Sequence, residues 1–385
     1  MSNINWNLIN LNGSPFSIIP DKETKGLIWA GFQTNKRQIE SAIKNIYSSK
    51  DTKVALNISR WGGGKTHAAY YFSNNNNIAD LLPNEAPAPL SVIILTSKEG
   101  NDAAYDFFKK IIEGITIERI MGAVAFMREL ETDDVALNKI KTFTSSTPLA
   151  KIVWLLGSSN EDESFEASEM IFNVTTSTQR KKYKLARGIE DTTDRFKILS
   201  CIFKVLSEYD SDIRFAQPRK IFLWMDEVEA LIVYTPKQYI PFTQAIRELV
   251  DMTPTDFCFL MNFSLSDYDN LRTLEYIIGK ALSDRISHRI IFEEPTLVEA
   301  DAYVYDLLNE YRGDNENHEP YFPFVKESLD RLLTVMEEKQ VPLMPRNVNK
   351  YVEYVIDAAF GKNIMDGEQL ISSDFINSLD YKSLT

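Results

Sequence analysis

At 385 residues the chain is long enough for one large domain or two to three ordinary ones, and its 44% hydrophobic content supplies a substantial core. Its 42 lysines and arginines face 55 aspartates and glutamates, a net charge of −13, which excludes a general coat for nucleic acid; any such contact needs a local basic patch. The two cysteines, Cys201 and Cys258, lie in apolar runs, which excludes a disulfide framework and predicts buried free thiols.

The chain begins Met1-Ser2-Asn3-Ile4-Asn5, without the basic start and apolar core of a secretion signal. No apolar run approaches the ~18 residues of a membrane span. A cytoplasmic location is therefore expected. Residues 1–50 read as a lead-in segment. Within it, Ile39, Ala42, Ile43 and Ile46 share one helical face.

Val54-Ala55-Leu56-Asn57-Ile58 reads as a strand, and His67-Ala68-Ala69-Tyr70-Tyr71-Phe72 as a helix. Between them lies Ser59-Arg60-Trp61-Gly62-Gly63-Gly64-Lys65-Thr66. This fits the phosphate-loop pattern G-x-x-x-x-G-K-[ST], with Ser59 where the first glycine is expected. A strand that turns sharply into a helix gathers backbone N–H groups, and the helix N-terminus adds partial positive charge. Glycines let the backbone curl around phosphates without Cβ clashes. Residues Ser59 to His67 are thus the candidate nucleotide-binding set. Lys65 is expected on the β- and γ-phosphates and the Thr66 hydroxyl on Mg²⁺. The competing reading is a glycine turn that merely precedes Lys-Thr; the strand–loop–helix order argues against it.

Ser73 to Asn77 and the proline-rich Leu82 to Pro89 read as loops. Ser91 to Thr96 reads as a second buried strand and Ala103 to Ile115 as its helix. Residues 116–190 mix helical patches with polar stretches such as Gly157 to Glu163, and read as a helical, partly mobile insertion. Inside it, Gln179-Arg180-Lys181-Lys182-Tyr183-Lys184-Leu185-Ala186-Arg187 is the densest positive run. A solvated helix face and a nucleic-acid or partner contact both account for it.

A helix around Phe196 to Leu206 leads to the strand Ile221-Phe222-Leu223-Trp224-Met225, which ends in Asp226-Glu227. Ligands of open α/β sheets bind at such strand ends. Asp226 is expected to support Mg²⁺ through water, and Glu227 to polarise an attacking water. An ATPase needs that second carboxylate; a small-molecule kinase does not. The alternative is that the pair caps the next helix. A helix near Phe242 to Val250 and a strand Phe257 to Met261 follow. Asn262, at that strand's end, is placed for the attacking water or the γ-phosphate; turn chemistry is the plainer explanation. Arg285 precedes, and Arg289 opens, a short last strand, Arg289-Ile290-Ile291-Phe292. Either could enter a neighbouring subunit's site, or form a surface salt bridge. From Val298 onward the pattern is helical, and Arg346 near the start of a helix could reach a γ-phosphate. Repeated strand–helix alternation implies an α/β fold with a parallel sheet covered on both faces.

In this order these pieces resemble the AAA+ P-loop ATPases, most nearly the branch of initiators, clamp loaders and transposition regulators. Ser59 to Thr66 is similar to the Walker A motif and Ile221 to Glu227 to Walker B. Asn262 matches sensor 1, Leu282-Ser283-Asp284-Arg285 the arginine-finger segment, and Pro345-Arg346 the start of sensor 2 in a helical lid. Gly62 to His67 also resembles the phosphate loop of ATPases from bacterial phage-exclusion systems. The likeness spans about residues 54–93 and 193–360. It departs from the family in Ser59 and in the separation of 161 positions from Lys65 to Asp226, which requires the insertion. Only residues 361–385 follow the lid, too few for an initiator's winged-helix domain.

The resemblance implies residues 1–50 as an N-terminal segment, 51–295 as the nucleotide-binding core and 296–385 as lid and tail. It implies ATP and Mg²⁺, a homo-oligomer and a protein partner; the basic run Arg180, Lys181, Lys182 and Lys184 adds nucleic acid as a candidate partner. The expected function is an ATPase that assembles, remodels or regulates a nucleic-acid or protein complex, in phage defence or on a mobile element. The alternative is a STAND-type signalling switch working with a partner effector. A P-loop kinase is a third reading, disfavoured by Asp226-Glu227.

Overall fold

The computed structural model describes residues 4–16, 28–49, 51–96, 102–253, 256–265, 268–313, 319–362, 370–382 and 384. Helix α1 (Gln33–Ser48) precedes strand β1 (Lys53–Arg60), and α2 (Lys65–Ser73) follows the loop after β1. A short α3 (Asn75–Ile78) comes next, then β2 (Leu90–Leu95) and α4 (Ala103–Ile115). Five helices fill the predicted insertion: α5 (Ile117–Leu130), α6 (Asp133–Thr144), α7 (Thr147–Leu156), α8 (Glu161–Phe172) and α9 (Ser177–Lys182). Then follow α10 (Thr192–Glu208), β3 (Ile221–Asp226), α11 (Pro236–Met252), β4 (Phe257–Leu265), α12 (Tyr268–Ser283) and β5 (Ile286–Ile291). The chain closes with α13 (Leu297–Glu310), α14 (Lys326–Glu338), α15 (Pro345–Gly361) and α16 (Ser373–Asn377).

The strands form one five-stranded parallel sheet in the order β2-β3-β4-β1-β5. The fold is therefore the α/β, P-loop type expected of an AAA+ ATPase, with helices flanking a parallel sheet. The chain divides into two compact units. Residues 41–57 and 72–289 form the larger; residues 1–40, 58–71 and 290–385 form the smaller.

In the larger unit, all six residues of β3 are buried. Its register sets Leu223 between Val92 of β2 and Phe259 of β4. At the sheet edge β2 is buried only at alternate positions, not throughout as its apolar run predicts. Edge placement accounts for that, because one face and one side of the strand lack cover. Phe107, Phe196, Phe242 and Phe259 pack ring against ring among α4, α10, α11 and β4. The insertion is tied to α10 and the segment after it by charges. Asp210 takes two hydrogen bonds from Arg119 and one from Arg219. Lys139 donates to Glu131, Glu208 and the Tyr209 hydroxyl. Cys201 and Cys258 are buried free thiols, as expected. Burial pushes the Cys201 thiol up to about 12.

One predicted loop is a helix. Asn74 caps α3 by accepting from the Asn76 N–H at 3.0 Å, so the asparagine run starts a helical turn instead of evading one.

In the smaller unit, α13, α14 and α15 bury one apolar face each around Leu308, Leu332, Val352 and Ile356. The N-terminal segment joins this core through Ile9, Leu11 and Phe16. Its backbone pairs with the end of α13, where Asn12 N–H donates to Tyr311 O at 2.8 Å. Thr296 and Glu299 close a reciprocal capping box at the start of α13.

Candidate functional site

The smaller unit holds the whole loop from Ser59 to His67. Residues Val54 to Ser59 of β1 are buried, and the chain then turns outward at Arg60 and Trp61. Gly62 and Gly64 have φ of +79° and +87°, the left-handed region where a Cβ is strained. Open space adjoins Gly64, where an added Cβ would meet nothing within 4 Å. At Gly62 the reason for glycine is double, because a Cβ would also stand 2.8 Å from the Arg346 Cβ. Arg346 is exposed at the start of α15, where Pro345 occupies the first turn without needing an N–H partner. Loop and sensor-2 candidate are thus brought together.

Helix α2 begins at Lys65, and Ala68 N–H donates to Gly64 O at 2.8 Å. Lys65 is buried. Its Nζ donates to Ser59 Oγ at 2.7 Å and makes longer contacts to Arg60 O at 3.3 Å and Ser59 O at 3.5 Å. Thr66 is half-buried in the first turn of α2. His67 shares a hydrogen bond between Nε2 and Ile28 O at 2.7 Å and packs against Trp29 and Tyr71. Burial holds its imidazole below the ordinary histidine range, against the raising effect of that carbonyl. Arg60 pairs with Glu294 at 3.1 Å, and Trp61 is 65% exposed.

The larger unit holds Asp226, Glu227, Asn262 and Arg285. Asp226 ends β3 and is buried. Its backbone carbonyl accepts from both the N–H and the hydroxyl of Thr96, and its Oδ1 accepts from the Glu227 N–H at 3.0 Å. Glu227 is left-handed at φ +55°, ψ +40°, and half-buried. Asn262 is fully buried in β4, where its Oδ1 accepts from Asn57 Nδ2 at 2.9 Å. That bond fixes which way the Asn262 amide is turned. Asn57 is thus the hydrogen-bond partner of the Asn262 candidate, and a polar side chain inside the apolar run of β1 was its signal in the sequence. Glu229 Oε2 accepts from Ser264 N–H at 3.0 Å, tying the segment after β3 to the end of β4.

Arg285 is engaged within its own unit. It donates to Asp251 Oδ1 from Nε at 2.9 Å and from Nη2 at 2.6 Å. Arg289 likewise pairs with Glu275 at 2.8 Å. In the basic run, Lys182 pairs with Glu166 and Arg187 with Asp194, while Arg180, Lys181 and Lys184 are exposed. Among the described residues no three histidine, cysteine, aspartate or glutamate side chains converge as a metal cage. No helix among them is long and apolar enough to cross a membrane.

No family model matches the sequence, and no curated protein matches it. Solved structures do. The ORC2 protein of Aeropyrum pernix in its ADP form aligns with a TM-score of 0.52 at 12% identity, over 94% of this chain and 70% of that one. The same protein as ADPNP–ADP complexes aligns with a TM-score of 0.50 at 12% identity, over 89% of this chain. There the chain spans 66% of the length of the protein it matches. At this identity the likeness is one of fold.

Proposed function

We propose that the chain is an ATPase which binds ATP on residues 59–67 and hydrolyses it to assemble, remodel or regulate a nucleic-acid or protein complex. The observation that carries this reading is the loop itself. Two left-handed glycines, a buried lysine ammonium and a helix N-terminus lie within seven residues, next to open space at Gly64. The residues fit a nucleotide phosphate, and the similar ORC2 structures are ADP and ADPNP complexes.

In this reading Lys65 meets the β- and γ-phosphates, while Arg346 reaches the γ-phosphate from the start of α15. Thr66, and in the other unit Asp226, are the residues that would hold Mg²⁺. When bound, the ion neutralises charge on the phosphates. Glu227 takes a proton from the attacking water, and the Asn262 amide orients that water. Arg285 serves a neighbouring copy. Phage defence or a mobile element is the biological setting we favour, on the likeness of Gly62 to His67 to phage-exclusion ATPases.

The test is Lys65→Ala. Loss of the fixed cation should weaken ATP binding at least tenfold and abolish turnover, measured by calorimetry and phosphate release. ATP affinity equal to that of the unaltered protein would reject the assignment.

A further inference from the structure

The first position of the phosphate loop carries a side chain where the pattern has none. Ser59 is buried, and its hydroxyl proton is committed: Oγ donates to Arg60 O at 2.7 Å. A hydroxyl has one proton, so toward Lys65 this oxygen can only accept. It accepts from Nζ at 2.7 Å, a shorter bond than the ammonium makes to either loop carbonyl. Those to Arg60 O and Ser59 O, at 3.3 and 3.5 Å, lie at or beyond the edge of good hydrogen-bond geometry. A charged donor on a buried acceptor at 2.7 Å is the strong kind. Phosphate oxygens would displace the two long interactions before the short one.

Gly63 completes the arrangement. A Cβ there would overlap Ser59 Oγ, stand 2.8 Å from Ser59 Cβ and 3.1 Å from Arg60 O. Gly63 has no left-handed φ to explain it, so its lack of a side chain is explained by the serine beneath it.

We propose that Ser59 is a positioning residue of the phosphate loop: its hydroxyl, locked as an acceptor, sets the direction of the Lys65 ammonium, and Gly63 is the glycine that makes room for it. The proposal rests on the nucleotide-binding reading above, and it replaces a missing glycine with a function. The serine and the second glycine of the run form one matched pair.

The experiment measures ATP and adenosine affinity and thermal stability for four variants. Ser59→Ala keeps the Cβ and removes the acceptor for Lys65 together with the donor to Arg60 O. It should lose about tenfold in ATP affinity, the worth of a charge-assisted hydrogen bond, with adenosine affinity unchanged and the melting temperature lower by no more than a few degrees. Gly63→Ala should bind ATP weakly. Ser59→Gly with Gly63→Ala should recover part of that loss, because only the Arg60 carbonyl still crowds the new methyl. Lys65→Ala separates the two levels of the argument. If it binds ATP as the unaltered chain does, the nucleotide reading fails. If it loses ATP while Ser59→Ala does not, or if the Ser59 and Gly63 changes are simply additive, the positioning role of Ser59 is overturned.

Discussion

Glu227 stands in a backbone conformation that costs a residue with a Cβ about 1–2 kcal/mol. Its N–H is tied to the Asp226 carboxylate, so two adjacent acids share one short turn after β3. A chain selected only for stability would place glycine or asparagine there. The strain argues that the glutamate carboxyl at that point is used. Glu227→Gln keeps the shape and removes the base. We expect ATP affinity within a few-fold of normal and a turnover lowered about 10²–10⁴-fold, read from single-turnover phosphate release. Turnover unchanged in that variant would transfer the role elsewhere, with Asp226 the next candidate.

At the scale of elements, the basic run tests what α9 is for. Thr176 and Gln179 cap this six-residue helix reciprocally, and Glu166 of α8 holds both Lys182 and the Tyr183 hydroxyl. Part of the positive charge is thus spent on attaching α9 to α8. Arg180, Lys181 and Lys184 remain exposed. Neutralising Arg180, Lys181, Lys182 and Lys184 should weaken any nucleic-acid affinity the chain has and flatten its salt dependence, by roughly one unit of log–log slope for each phosphate no longer neutralised. DNA affinity with an unaltered slope would leave the run a solvated face. The same helices show where sequence reading succeeds and stops. Strands β1, β3 and β4 are legible because burial on both faces writes them as apolar runs, although β4 continues to Leu265, past the expected end at Met261, so that Asn262 lies inside the strand. The start of α11 is not, since Pro241, which marks a turn or break in a sequence, lies inside this helix that Pro236 opens. The insertion reads as helical but its five helices do not separate, because their faces answer to neighbours far along the chain. The site follows the same rule. Lys65, Thr66, Asp226 and Glu227 are motif residues and stand out; the Asn57–Asn262 bond joins residues 205 apart, so the polar Asn57 in an apolar run marks one end of it without revealing the partner. The Ser59–Lys65 bond is local, but it depends on how a glycine loop folds back, which composition does not encode.

At the scale of the whole molecule, the question is whether one chain suffices for hydrolysis. Arg285 decides it, and two explanations compete. Its fork on Asp251 is an intramolecular pair with both side chains more than one-third exposed, and pairs of that kind contribute little to stability. A role confined to that pair predicts that Arg285→Ala and Asp251→Asn behave alike, with small changes in melting temperature and normal turnover. A role in a neighbour's site predicts a split. Arg285→Ala should then bind ATP yet hydrolyse it about 10³-fold or more slower, the range measured for arginine fingers, while Asp251→Asn stays active. Mixing supplies the decisive arm. Lys65→Ala chains lack a working phosphate loop but carry Arg285, and Arg285→Ala chains carry an intact loop. In an equal mixture about a quarter of the subunit interfaces join the intact loop to the intact arginine. ATPase activity should therefore rise from near zero in either variant alone to a substantial fraction of normal on mixing. If the mixture stays at the sum of its inactive parts while sedimentation shows a monomer with ATP present, Arg285 is an internal ion pair and the chain works as a stand-alone nucleotide switch.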